Sequence, residues 1–148
     1  MKILFLHEVN YLSKPIFEMH EFPENLSTAG HEVAFVHFPE GLSSRKLRTF
    51  LWKQQIPGRV KDDESITLYT PRTTSGNLLG RLVAALSFGF QFKKILNDFK
   101  PDVVVSFSVP TSGWQALRVC KKNRVPYLFR ALDVSSAIRR SVFRPLVS

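Results

Sequence analysis

The sequence predicts an α/β domain, doubly wound about a parallel sheet. Three observations lead there. Short apolar runs of strand length recur along the chain, segments of helical period alternate with them, and turn residues punctuate the changes.

Lys2 to Glu8 reads as the first strand, because Ile3, Leu4, Phe5 and Leu6 run without a polar break. Parallel strands covered on both faces have this character. After Pro15, the positions Ile16, Phe17, Met19, Phe22 and Leu26 suit a helix facing a sheet, with Pro23 expected to kink or interrupt it. Gly30 suits the helix end, where a left-handed residue is wanted, and Glu32 to Phe38 follows as the second strand. Leu42 to Gln55 is expected to be helical, with Leu47, Phe50 and Leu51 on one side, until Pro57-Gly58 stops it. Ser65 to Thr70 is the third predicted strand. Ser75 can cap a long helix running to Asp98 or Phe99. Asp102 to Phe107 is the fourth strand, Thr111 to Asn123 a helix, and Val125 to Leu132 the fifth strand. Strict alternation implies right-handed crossovers and helices on both faces. From Ser135, Ile138, Val142 and Leu146 with Arg139, Arg140 and Arg144 suggest a basic amphipathic helix.

The 148 residues suit a single domain, 1–148, and 44% hydrophobic content argues against disorder. The 13 phenylalanines exceed what a small core needs, so some are expected at an interface. A lone Cys120, flanked by Val119 and a lysine pair, reads as a buried thiol, and a cytoplasmic, reducing setting is the simplest expectation. No apolar run approaches the roughly 20 residues of a membrane span. The net charge of +9 favours anionic partners: nucleic acid, an anionic membrane surface, or phosphate-bearing substrates. Nucleic acid is the weakest of these, since the basic residues lie scattered with no recognition helix or stacking motif.

In open parallel sheets, ligands bind beyond the carboxyl ends of the strands, where strand order reverses. That rule selects the loops after the first, fourth and fifth predicted strands. His7 and Asp133 are the catalytic candidates, a histidine and a carboxylate suited to general acid–base work. Glu8, Asn10, Lys14 and Arg130 are candidates for substrate binding. Ser108, Thr111 and Ser112 can hold an anion with the amides of the helix they open, or simply cap it. No glycine fingerprint for a dinucleotide or phosphate loop is present, and the histidines show no zinc spacing, so no metal is expected.

The run Lys100-Pro101-Asp102-Val103-Val104-Val105, then Ser108-Val109-Pro110 and a helix, then Val125-Pro126-Tyr127-Leu128-Phe129-Arg130-Ala131-Leu132-Asp133, resembles the N-terminal domain of the family 4 retaining glycosyltransferases. The opening Met1-Lys2-Ile3-Leu4-Phe5-Leu6 and the helix end Ala29-Gly30-His31-Glu32-Val33 are similar to it too. The resemblance implies the N-terminal half of a GT-B architecture, in which two Rossmann-like domains face a cleft. The acceptor then lies mainly on the first domain and the nucleotide-sugar on the second. It also implies no metal and no cofactor, a cleft bordered by His7 to Lys14, and Asp133 in the place of the family's aspartate. Ser13-Lys14-Pro15 stands where the family has a glycine pair, and Leu132 where it has a basic residue.

The expected function is therefore that of an acceptor-side domain acting on a glycan or lipid-linked acceptor in polysaccharide or glycolipid synthesis. The domain is expected to be truncated at its C-terminal end, with the nucleotide-sugar domain absent, and to be inactive without it or a separate polypeptide supplying it. A peripheral position at the inner face of the membrane would suit the basic charge, with Trp52, Phe50 and Leu51 beside Arg48 and Lys53 at headgroup level. The alternative is a non-catalytic, flavodoxin-like binding module for an anionic partner or membrane surface.

Overall fold

The computed structural model describes residues 1–38, 51–71, 78–107 and 110–131. In chain order these form β1 (Lys2–Leu6), α1 (Glu18–Thr28), β2 (Glu32–Val36), β3 (Trp52–Pro57), β4 (Ser65–Thr70), α2 (Leu78–Phe99), β5 (Val103–Ser106), α3 (Pro110–Asn123) and β6 (Tyr127–Phe129). The strands make a 6-stranded sheet in the order β3-β4-β2-β1-β5-β6. All neighbours are parallel except β3, which runs antiparallel to β4. The doubly wound α/β class is as predicted, with an antiparallel edge strand added.

The centre of the sheet is buried on both sides, which is why β1 and β5 read as unbroken apolar runs. Ile3, Phe5, Val33, Phe35, Ile66 and Leu68 face one side and meet Met19, Phe22 and Leu26 of α1. Leu4, Leu6, Ala34, Val36 and Val104 face the other side and meet Phe88, Phe92, Ile95 and Phe99 of α2 with Ala116 and Cys120 of α3. Each alternation of side chains thus serves a different helix layer.

Three expectations need correction. Trp52 to Gln55 belong to a strand, not to the end of a helix; residues 39–50 of that prediction lie outside the described residues. Exposure along Lys53 to Pro57 alternates with period two, and β4 supplies the hydrogen-bonding partner, so nonlocal pairing decides the conformation. Pro23 does not interrupt α1, which runs through it. Proline removes one donor there, but Met19, His20, Pro23 and Glu24 are all buried, and that anchorage outweighs one lost bond. The last strand is shorter than Val125 to Leu132, ending at Phe129.

The predicted N-cap at Ser75 falls outside the described residues, as does the basic helix from Ser135. Gly30 takes the left-handed φ of 85° expected of it. The Asp102 of the "PDVV" run has a structural task. Its carboxylate accepts the Lys2 N–H at 2.7 Å and its own N–H donates to the Lys2 carbonyl at 2.8 Å, tying β1 to the approach of β5.

Candidate functional site

Strand order reverses at β1: the chain moves outward through β2 and β4, then returns to the other side of β1 with β5. The crevice beyond the carboxyl ends of β1 and β5 is therefore the switch point of this fold. Register fixes which residues meet there. Leu6 pairs with Val36 and Ser106, Val36 with Tyr69, and Ser106 with Phe129. One step further along each strand lie Arg130, Phe107, His7, His37 and Thr70, a single row across the end of the sheet. The ladder continues into that row, since His7 N–H donates to Val36 O at 3.1 Å, Phe107 N–H to Leu6 O at 2.9 Å and Arg130 N–H to Ser106 O at 2.9 Å.

The side chains of the row interact in sequence. The Arg130 guanidinium lies 5.4 Å from the Phe22 ring centroid and 5.8 Å from that of Phe107, and it forms an ion pair with Glu18 at the start of α1. Phe107 stacks on the His7 imidazole at 5.5 Å. Beyond it, His37 and Thr70 share a buried hydrogen bond of 2.6 Å. An aromatic clamp of this kind holds a cation at low entropic cost, and the Phe107 ring stands between it and the half-buried His7 imidazole. The guanidinium can meet an oxyanion and the imidazole a hydroxyl at this end of the sheet.

Glu8 and Ser112 are brought together. Glu8 reaches the first turn of α3, where its carboxylate accepts the Ser112 N–H at 3.0 Å and the Ser112 hydroxyl. The helix N-terminus, with its positive end and open N–H groups, thus holds a carboxylate of the same chain. Asn10 closes a turn: its Oδ1 accepts the Leu12 N–H at 3.0 Å, and its carbonyl accepts the Lys14 N–H at 3.3 Å. Ser108 and Asp133 lie outside the described residues, as does the Thr111 side chain, so the His7–Asp133 pairing has no geometry here.

The loop after β1 is itself locked by a buried polar cluster that the sequence did not announce. Tyr11 Oη donates to Glu24 Oε1 at 2.9 Å, and the Glu24 carboxylate also accepts the N–H groups of Arg59, Val60 and Lys61 at 2.7, 2.7 and 2.9 Å. Burial alone would raise Glu24, but those backbone donors outweigh it and hold the carboxyl below its usual range. Burial, and next the Glu24 charge, push the Tyr11 phenol far up, so it stays a donor. Arg59 Nη1 donates to the carbonyls of Tyr11 and Lys14, both at 2.7 Å. His20 Nδ1 accepts the Phe17 N–H at 3.3 Å, which leaves Nε2 to donate to Tyr11 O at 2.8 Å. Burial first, and Arg59 Nη1 at 2.9 Å, lower the His20 pKa. Gly58 is required at this junction, because a Cβ there would stand 2.2 Å from Lys61 O and 2.8 Å from Glu24 Oε2.

Sequence reasoning missed Glu18, His37 and Thr70. One signal was available: the first two strands both end on an apolar residue followed by histidine, Leu6-His7 and Val36-His37. Among the described residues, no group of three or more His, Cys, Asp or Glu side chains could hold a metal ion. A shallow depression lined by Leu96, Lys100, Pro101 and Asn123 sits at the opposite end of the strands, away from this chemistry.

Solved structures share this fold. The chain is similar to UDP-GlcNAc 2-epimerase from Neisseria meningitidis bound to UDP-GlcNAc, with a TM-score of 0.57 and 15% identity over 99% of this chain and 38% of that one. MurG from Acinetobacter baumannii matches with a TM-score of 0.54 and 15% identity, over 86% of this chain and 34% of that one. The C-terminal domain of a hydrogenase from Pyrococcus furiosus matches with a TM-score of 0.56 and 15% identity, over 87% of this chain and 90% of that one. The chain thus spans little more than a third of the epimerase and of MurG, members of the GT-B fold, and nearly all of the hydrogenase domain. No protein-family model and no curated protein matches the sequence. At this identity the likeness establishes a Rossmann-like α/β fold and leaves function to the site.

Proposed function

We propose that this chain is the acceptor-side domain of a glycosyltransferase that moves a sugar from a nucleotide-sugar onto a glycan or glycolipid acceptor. A second GT-B domain, on the same or a separate polypeptide, supplies the donor site, and the basic domain works peripherally at an anionic membrane surface. One observation carries the reading: the row of Arg130, Phe107 and His7 at the strand-order reversal sets a clamped guanidinium and an imidazole on either side of one aromatic ring. One hydroxyl of a sugar can be held by the first while another is deprotonated by the second. The resemblance to family 4 enzymes and the shared fold of MurG and the epimerase support a sugar substrate. Asp133, Ser108 and Thr111 stay in the proposal as further acceptor contacts.

A second reading has its own support. The hydrogenase domain matches over 90% of its length, so this fold also serves as a module outside sugar chemistry. Amide chemical shifts of the labelled chain separate the two. Titration with oligosaccharides and soluble lipid-linked sugar analogues is expected to move His7, Phe107 and Arg130, and Arg130→Ala to weaken binding about tenfold. Saccharides that leave this row untouched, while a flavin mononucleotide moves it, would replace the transferase reading with the binding module.

A further inference from the structure

The outer surface of α2 and α3 is the least expected part of the molecule. Leu86 and Phe90, one turn apart on α2, are 81% and 66% exposed, and Trp114 on α3 is 55% exposed. The helices meet close by: the Gly89 N–H donates to Gln115 Oε1 at 2.7 Å, and Gly89 also stands against Val119. Phe90 adjoins Gly89 and Trp114 adjoins Gln115 along their helices, so both positions lie next to this contact, with Leu86 one turn before Phe90.

Cations cover both aromatic rings. Lys94 Nζ lies 4.8 Å over the Phe90 ring and the Arg118 guanidinium 4.6 Å over the Trp114 indole. Lys93, Lys121 and Lys122 are exposed further along the same helices. No acidic residue occurs in α3, and α2 has only Asp98, which is held by Lys53 and Tyr69. The surface anticipated at Trp52 is different. Leu51 packs against the core and Lys53 is ion-paired to Asp98, while Arg48, Phe50 and the Trp52 side chain lie outside the described residues.

We infer that Leu86, Phe90 and Trp114, with Lys94 and Arg118 over the two aromatic rings, are the face by which this domain docks on an anionic lipid bilayer. Charge selects the occupant. Apolar side chains with cations lying over them fit acyl chains below anionic headgroups, where lysine and arginine stems lie along the boundary. A second copy of the chain in face-to-face contact would set cation against cation. The inference deepens the peripheral part of the proposed function and is independent of its sugar chemistry.

Co-sedimentation with vesicles of phosphatidylcholine, with and without phosphatidylglycerol, tests it on the whole chain. Wild type is expected to bind the anionic vesicles only, and less as salt is raised. The triple variant Leu86→Ser/Phe90→Ser/Trp114→Ser, altered only at exposed positions, is expected to lose at least about tenfold in partitioning. Lys94→Glu/Arg118→Glu is expected to lose a similar factor and much of the salt dependence. With Trp52→Phe, the emission of Trp114 is expected to shift to the blue on binding. Wild-type partitioning by the triple variant would overturn the assignment of this face and leave a peripheral enzyme intact. No binding of wild type at low salt would overturn both. A dimer in sedimentation that the serine variant abolishes, with vesicles ignored, would give the face to a second copy instead. Oligosaccharide titration reports on the sugar reading whichever way these fall.

Discussion

The two faces of the sheet are covered in opposite ways. On one side α1 brings polar chemistry inside: Tyr11, His20, Glu24 and Arg59 form a hydrogen-bonded cluster that ties the loop after β1 to the β3–β4 turn. On the other, α2 and α3 bury Phe88, Phe92, Ile95, Phe99, Ala116 and Cys120, and carry apolar residues outward as well. The first face specifies one arrangement, because each buried polar group needs its particular partner. The second face is held by packing and tolerates adjustment wherever volume is kept. A site loop is thus fixed from the polar side, while the other side is left to present a surface.

Removing Glu24 tests that contrast most strongly. Glu24→Ala strands the N–H groups of Arg59, Val60 and Lys61 and the Tyr11 hydroxyl, and is expected to cost about 3 kcal/mol in urea unfolding. A loss below about 1 kcal/mol would mean that water replaces the carboxylate easily and that the cluster does not fix the loop. The second effect depends on pH. The His20 pKa lies below its unfolded value of 6.5, so the folded state prefers the neutral ring. Stability from this group is full above 6.5 and falls as pH drops below it, because the unfolded chain takes up the proton first. Unfolding midpoints of wild type at about pH 7.5 and about pH 5.5 should differ more than those of His20→Gln. Equal differences would remove His20 from the account. The smallest change belongs to the apolar face. Gly89→Ala puts a Cβ 3.1 Å from Gln115 Oε1, the far end of a flexible side chain, while gaining up to about 1 kcal/mol of helix propensity. Stability within about 0.5 kcal/mol of wild type is expected, and a large loss would show this crossing to be as exacting as the polar one.

Most of the fold was legible because burial on both faces writes itself into composition. β1 and β5 are apolar runs, and α2 and α3 repeat with helical period. β3 was not legible. Lys53, Gln54 and Gln55 carry no strand preference, and only the pairing of Trp52–Pro57 with β4 makes them extended. The site divides in the same way. His7 and Arg130 could be found as polar residues ending apolar runs. Their assembly with Phe107 and Glu18 depends on register and helix placement, which no local pattern contains. Glu8 and Ser112 were both selected, yet their contact with each other could be seen only once α3 was set beside the loop after β1.

Cys120 lies at the base of the apolar face, fully buried, its thiol pushed up to about 12 by that burial. It is the sole cysteine of the chain. Thiolate, not thiol, attacks an alkylating reagent, so the closed molecule reacts slowly for reasons of both access and acidity. Reaction then waits for α3 to lift from the sheet, and its rate in native buffer reports how often that happens. The chain therefore carries an intrinsic clock for the opening of one helix, readable as the mass of the alkylated product without mutation.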